Sequence, residues 1–236
     1  AYHIMNTMKL SPNEMSDQFA KWNNEELDSF LIEITRDILR YKDNKGYLLQ
    51  RIKDTAGQKG TGKWTAIAAL HYGTPVTLIG EAVFSRCLSA LKAERIRASK
   101  ELNGPLINPE VENVVKFLDQ IKHALYCAKI VSYTQGFMMM RQAAEENNWN
   151  LNYGGIALMW RGGCIIRSVF LGNIKDAFAR NQQLSNLLLD EFFKKGIDNG
   201  QDAWRQVVCQ AIQWGVPVPA LSSALSFYDG YRSEKL

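Results

Sequence analysis

The 236 residues are enough to bury a sizeable core, as one large domain or two halves, and 46% hydrophobic with 22% charged residues describes an ordinary globular chain. A net charge of +4, with signs interleaved as in Lys92-Ala93-Glu94-Arg95, permits an anionic small molecule but excludes the concentrated basic stripe of a nucleic-acid binder. No run of about 18 apolar residues and no signal-peptide pattern occurs, so no membrane partner and a cytoplasmic location are expected.

In chain order, helical periodicity dominates. Ala1-Tyr2-His3-Ile4-Met5 already reads as the middle of a helix and Ser233-Glu234-Lys235-Leu236 carries no stop signal, so the chain is expected to be cut from something larger. Residues Glu26 to Arg40 place Leu27, Phe30, Leu31, Ile34, Ile38 and Leu39 three and four apart, a helical stripe with Asn23 or Asn24 as N-cap. Pro75 suits the opening of a helix from Val76 through Ala98, within which Gly80 marks a close helix crossing. Asn108 is expected to cap a long helix with Pro109 in its first position, carrying Val114, Leu118, Ile121 and Leu125 and reaching about Ala144. Alternating strand patterns are absent. The expected class is all-α.

Cys87, Cys127, Cys164 and Cys209 lie about forty residues apart among apolar neighbours, without a C-x-x-C or a Cys/His cluster. Buried free thiols in a reducing compartment are expected, and no metal site. His3, His71 and His123 are widely separated and read as structural or surface residues, and Met138-Met139-Met140 as core filling. Nothing ties a serine or cysteine to a histidine, and no G-x-G-x-x-G follows a strand. The residues therefore assign no catalytic centre and no cofactor-binding residue.

The densest chemistry lies in Gly57-Gln58-Lys59-Gly60-Thr61-Gly62-Lys63-Trp64-Thr65. Glycines let backbone N–H groups face a ligand, lysines add positive charge, and a helix starting just after Gly62 would add its unpaired amides. The expected guest is an anion, most simply a phosphate; a flexible surface loop is the plainer alternative. Gly57 to Lys63 also fits G-x-x-x-x-G-K, but Trp64 stands where a Ser or Thr should hold magnesium, and the preceding Gln50-Arg51-Ile52-Lys53-Asp54-Thr55 is too charged for a buried strand. A nucleotide triphosphatase is disfavoured. An arginine would orient the phosphate better than lysine, and Arg86 is the candidate: it lies in the otherwise apolar run Glu81 to Leu88, on a helix face expected to be mostly buried, with a pair to Glu81 or Glu94 as the competing reading. Arg161 and Arg167, beside Gly162-Gly163, read as structural.

An internal repeat is visible. Tyr2-x-x-Met5 matches Phe137-x-x-Met140, Trp22 matches Trp160, Phe30-Leu31-x-x-Ile34 matches Phe170-Leu171-x-x-Ile174, and Tyr72-Gly73-x-Pro75-Val76 matches Trp214-Gly215-x-Pro217-Val218. The ordered matches suggest a single all-α domain of two helical units, about 1–101 and 110–236. Where the first unit carries its glycine–lysine loop, the second reads Lys195-Gly196-Ile197-Asp198-Asn199-Gly200, with most of the cationic and donor density lost. Anion binding is thus expected of the first unit only.

The stretch Ile52-Lys53-Asp54-Thr55-Ala56-Gly57-Gln58-Lys59-Gly60-Thr61-Gly62-Lys63-Trp64 resembles the signature of decarboxylating 6-phosphogluconate dehydrogenases. The resemblance continues through Gly73 to Phe84, returns at Ala224 to Arg232, and spans essentially the whole chain. It implies the C-terminal all-helical domain of an enzyme that oxidises 6-phosphogluconate with NADP and releases carbon dioxide and ribulose 5-phosphate, as a cytosolic homodimer without metal. It implies that Lys59, Gly60, Thr61 and Arg86 bind substrate, Lys59 through its backbone N–H and Arg86 through the phosphate. It also implies that a Rossmann domain holding NADP, and the catalytic lysine and glutamate, precede this chain, and that a tail arginine and histidine follow it. The fragment alone is then expected to fold and dimerise without turnover. A dimerisation module without ligand binding is the alternative, and a related β-hydroxyacid dehydrogenase is disfavoured because a non-phosphorylated substrate needs no such cradle.

Overall fold

Apolar residues at helical spacing dictate the architecture, described for residues 1–235 by a computed structural model. Eleven α-helices are found among them: α1 (Tyr2–Thr7), α2 (Pro12–Trp22), α3 (Phe30–Arg40), α4 (Thr61–His71), α5 (Thr77–Ala90), α6 (Lys92–Glu101), α7 (Val114–Asn147), α8 (Tyr153–Met159), α9 (Phe170–Arg180), α10 (Glu191–Gln213) and α11 (Pro219–Tyr231). The class is all-α. The one departure is a hairpin of β1 (Lys42–Asp43) and β2 (Gly46–Tyr47), too short to show an alternating pattern.

The core forms where α7 lies along α10, with α5 and α11 packed against α7 and with α2 on α3 and α8 on α9 as further pairs. Trp22, Trp204, Phe170 and Phe193 are its largest sealed members, and the Trp204 indole N–H donates to the Leu221 carbonyl at 3.1 Å. A buried polar contact fixes the helix that matters most for the site. Gln135, fully buried on α7, accepts from Leu78 N–H and donates to the Thr77 hydroxyl, each at 3.0 Å. It thereby satisfies a donor that α5, whose N-cap Val76 has no side-chain acceptor, leaves unpaired.

Several boundaries differ from the sequence expectation for local reasons. The first long helix begins at Phe30, because Ser29 is drawn into an extended bridge with Ser168, and Asn23 accepts the Ser29 N–H at 3.2 Å instead of capping. The helix expected from Val76 to Ala98 breaks at Leu91 (ψ 43°) into α5 and α6. Asn108 makes a local turn with Glu110 N–H while its carbonyl accepts the Trp214 indole N–H at 2.8 Å; the real cap of α7 is Asn113, which accepts from Lys116 N–H. A Cβ at Gly80 would meet nothing within 4 Å, so no tight crossing lies there. Only Cys127 is fully buried: Cys164 is half-buried, and Cys87 and Cys209 are exposed.

Two of the matched segment pairs sit at similar points of their helices. Tyr72-Gly73 follows α4 and Trp214-Gly215 follows α10, with the glycines at φ 61° and 65°. The Phe30 N–H donates to the Arg167 carbonyl and the Val169 N–H to the Asp28 carbonyl, so the entries to α3 and α9 run against each other.

Candidate anion site

Helix α4 starts at Thr61, two residues earlier than the start just after Gly62 that the sequence suggested, with Gly60 as its N-cap. Gly60 sits at φ 121°, a conformation that side chains resist, and its carbonyl accepts the Trp64 N–H at 2.8 Å. Gly62 is needed for another reason: a Cβ there would come within 2.7 Å of a Val83 methyl, so it lets α4 close against α5. Among the described residues, the N–H groups of Lys59, Gly60, Thr61, Gly62 and Lys63 donate to no protein acceptor. Five consecutive free amides at the positive end of an eleven-residue helix are the kind of donor set that suits an anion.

Arg86 stands beside this bend. Its Nε donates to the Gly57 carbonyl at 3.0 Å and a terminal N–H donates to the same oxygen. Neither Glu81 nor Glu94 pairs with it, and the side chain is exposed, not on the buried face the sequence suggested. A guanidinium has five N–H groups, so three stay free for a ligand while two hold the loop. The structure thus ties Arg86 to Gly57, at the start of the segment that carries Lys59, Gly60 and Thr61, across 29 residues of sequence. Of the weaker candidates, Arg167 pairs with Glu33 and is structural.

A cleft of about 920 Å³ opens behind the loop, lined by Thr61 and Thr65 of α4 and by Ile79, Tyr133, Phe137 and Trp160. Its mostly apolar wall suits the hydroxyls of a sugar acid poorly, which favours the loop itself as the polar site. Lys129 and Arg167 are the charged residues in that wall, and Lys129 is the more buried. Its ammonium donates to the Ser168 hydroxyl at 2.6 Å, and burial lowers its pKa to about 8 against the weaker opposing pull of Asp28. The sequence reading passed over Lys129, although a lone cation in the run Leu125 to Val131 was a visible anomaly. No group of three metal-ligating side chains occurs among the described residues.

The whole chain, residues 1–236, matches the family model for the 6-phosphogluconate dehydrogenase C-terminal domain. It is 76% identical over 236 residues to the decarboxylating 6-phosphogluconate dehydrogenase of Ceratitis capitata, covering all of this chain and 49% of that protein. It is 62% identical over 238 residues to the Homo sapiens enzyme of the same name, again with full coverage of this chain and 49% of that one. A solved structure of Plasmodium falciparum 6-phosphogluconate dehydrogenase, studied in apo form, with its cofactor NADP+ and with its substrate 6-phosphogluconate, superposes with a TM-score of 0.95 at 41% identity, over all of this chain and 51% of that one. The chain thus spans about half the length of the curated relatives it matches. The family match over all 236 residues, with a superposition that takes in the whole of this chain, shows that the chain belongs to the 6-phosphogluconate dehydrogenase family and corresponds to its C-terminal domain.

Proposed function

We propose that this chain supplies the substrate-phosphate site and dimer interface of an NADP-dependent 6-phosphogluconate dehydrogenase, which oxidises and decarboxylates 6-phosphogluconate to ribulose 5-phosphate in the cytoplasmic pentose phosphate pathway. One observation carries the reading: the amides of Lys59 to Lys63 are uncommitted, and they follow directly on the Gly57 carbonyl that Arg86 grips. Lys59, Gly60 and Thr61 offer backbone donors, and the free N–H groups of Arg86 make charge-assisted bonds to phosphate oxygens. NADP supplies hydride acceptance when bound. These residues contain no strand followed by a glycine-rich turn and helix, so the dinucleotide is held mainly outside them.

Oxidation of an alcohol followed by decarboxylation needs a base and an acid at the reacting carbons, and no such pair stands at this loop. The 236 residues alone therefore bind without turning over. Calorimetric titration tests the binding: 6-phosphogluconate should bind, and gluconate, which lacks the phosphate, should bind much more weakly. Equal affinity for the two, or none for either, would defeat the phosphate-site reading.

The alternative of a dimerisation module is supported by exposed apolar stripes, Trp64, Ile67 and Leu70 on α4 and Phe84 and Leu88 on α5. We read these as the homodimer surface, compatible with the phosphate site. Sedimentation should show a dimer that Leu70→Glu with Leu88→Glu converts to monomer; an unchanged dimer would move the interface elsewhere. No helix is long and apolar enough to cross a membrane among the described residues.

A further inference from the structure

The loop that carries the free amides has an anchorage of its own on its far side. Asp54, Thr55 and Ala56, the residues just before Gly57, are tied to the end of α5 and the start of α6. The Asp54 carboxylate accepts from Lys92 at 3.1 Å and from Arg95 at 3.4 Å, and the Arg95 guanidinium also donates to the Asp54 carbonyl at 2.9 Å. The Thr55 hydroxyl donates to the Ser89 carbonyl and the Ala56 N–H to the Ser89 hydroxyl, each at 3.2 Å. Arg95 donates to the same Ser89 carbonyl at 3.1 Å. The Leu91 break between α5 and α6 makes this possible, by ending one helix at a carbonyl that needs donors and turning Lys92 and Arg95 back toward Asp54.

From this geometry we infer that Asp54 is a positioning residue for phosphate binding: with Lys92, Arg95 and Ser89 it latches the start of the loop, so that the Lys59 to Lys63 amides and Arg86 hold one phosphate-shaped arrangement. The inference rests on the phosphate-site reading above and assigns the latch to that same site. Asp54 does not touch the ligand. A carboxylate near an anion site weakens anion binding by simple Coulomb repulsion, and this one is largely exposed. Lys92 and Arg95 hold its pKa below the ordinary carboxylate range, so it is anionic at neutral pH. The latch and the bare charge therefore predict opposite signs. Removing the charge should tighten 6-phosphogluconate binding if Asp54 acts only through its field, and weaken it if Asp54 orders the loop. Preorganisation lost over even a fraction of an ångström weakens anion binding more than the removed repulsion strengthens it.

The experiment is calorimetric titration of 6-phosphogluconate into the chain and its Asp54→Asn, Asp54→Glu and Ser89→Ala variants, with thermal unfolding alongside. Asp54→Asn should weaken binding about tenfold. Asp54→Glu, which keeps the charge and can still reach Lys92 and Arg95, should recover most of that loss, and Ser89→Ala, which changes no charge, should also weaken binding. Unfolding midpoints should move by no more than about 2 °C, because exposed ion pairs contribute little to stability. Unchanged or tighter binding by Asp54→Asn overturns the latch. A loss of affinity matched by a large fall in unfolding midpoint in all three variants also overturns it, since Asp54 would then be serving the fold. Absence of binding by the unsubstituted chain would instead strike the phosphate-site reading on which the latch depends.

Discussion

The Arg86 guanidinium and the Gly57 carbonyl, 29 residues apart in sequence, meet at 3.0 Å, so the arginine that would grip a phosphate also fixes the start of the loop that receives it. Binding and loop order are then coupled through one side chain. Arg86→Ala should lose a charge-assisted contact of about 1.5–3 kcal/mol, a weakening of roughly 10- to 150-fold for 6-phosphogluconate. Arg86→Lys should recover little of it, because an ammonium cannot hold a carbonyl and present a planar fork of donors together. Calorimetric affinities within threefold of the parent chain for Arg86→Ala would rule this coupling out.

The contact between α4 and α5 gives a second prediction. Gly62→Ala would drive its Cβ to 2.7 Å from a Val83 methyl, and the β-branched Val83 has little rotamer freedom with which to yield. The helices must separate, at a cost of about 1–3 kcal/mol as an overpacked contact, and the amide cradle shifts with α4. Pairing Gly62→Ala with Val83→Ala should restore most of the stability measured by urea unfolding. If the double variant is no better than the sum of the singles, the clash is not what Gly62 avoids.

Much of this site was legible in the sequence because its chemistry is local. Glycines and lysines packed into nine positions declare free amides and charge wherever the segment folds, and Phe30-Leu31 and Phe170-Leu171 both open helices as their spacing predicted, although only the second pair is buried and Leu31 is exposed. Contacts made across the chain were hidden. Nothing in Asn23 or Asn108 distinguishes a helix cap from a loop brace, and the deciding partners, Ser29 N–H and the Trp214 indole, arrive through tertiary packing. Cys87 and Cys209 misled for a related reason: apolar neighbours in sequence face opposite sides of a helix, so they do not bury a thiol between them. Arg86 was expected on a buried face by the same error.

Gln135 yields a stability prediction with a functional echo. Gln135→Leu keeps the volume roughly constant but leaves the Leu78 N–H without its acceptor and the Thr77 hydroxyl without its donor. An unsatisfied buried group costs about 1–3 kcal/mol. Urea unfolding should report that loss, and since α5 carries Arg86, affinity for 6-phosphogluconate should fall with it. Stability equal to the parent chain would show that solvent or a local rearrangement satisfies the start of α5.

Lys129 gives the remaining prediction, and its sign follows from proton counting. Its pKa is about 8 in the folded chain, against an ordinary value of 10.5, because burial disfavours the charged form. Between those values the unfolded chain binds more protons than the folded one, so this residue makes stability rise with pH across that interval. Below pH 8 the full cost of burying the ammonium is present, of order 3 kcal/mol at about 1.4 kcal/mol per pH unit. Lys129→Met keeps the apolar stem, and the Ser168 hydroxyl stays satisfied because it also bonds the Asp28 carbonyl and the Phe170 N–H. Tyr126, Tyr133 and Cys127, all raised to about 12 by burial, push stability the other way at alkaline pH, but they remain in both proteins and cancel in the difference. The variant should thus be more stable than the parent at pH 7, by a margin that shrinks steadily from pH 8 to pH 10.5. Urea unfolding of both proteins over that range measures the margin directly; a constant margin would mean that Lys129 does not lose its proton there, and a negative one that the ammonium stabilises the fold through Ser168.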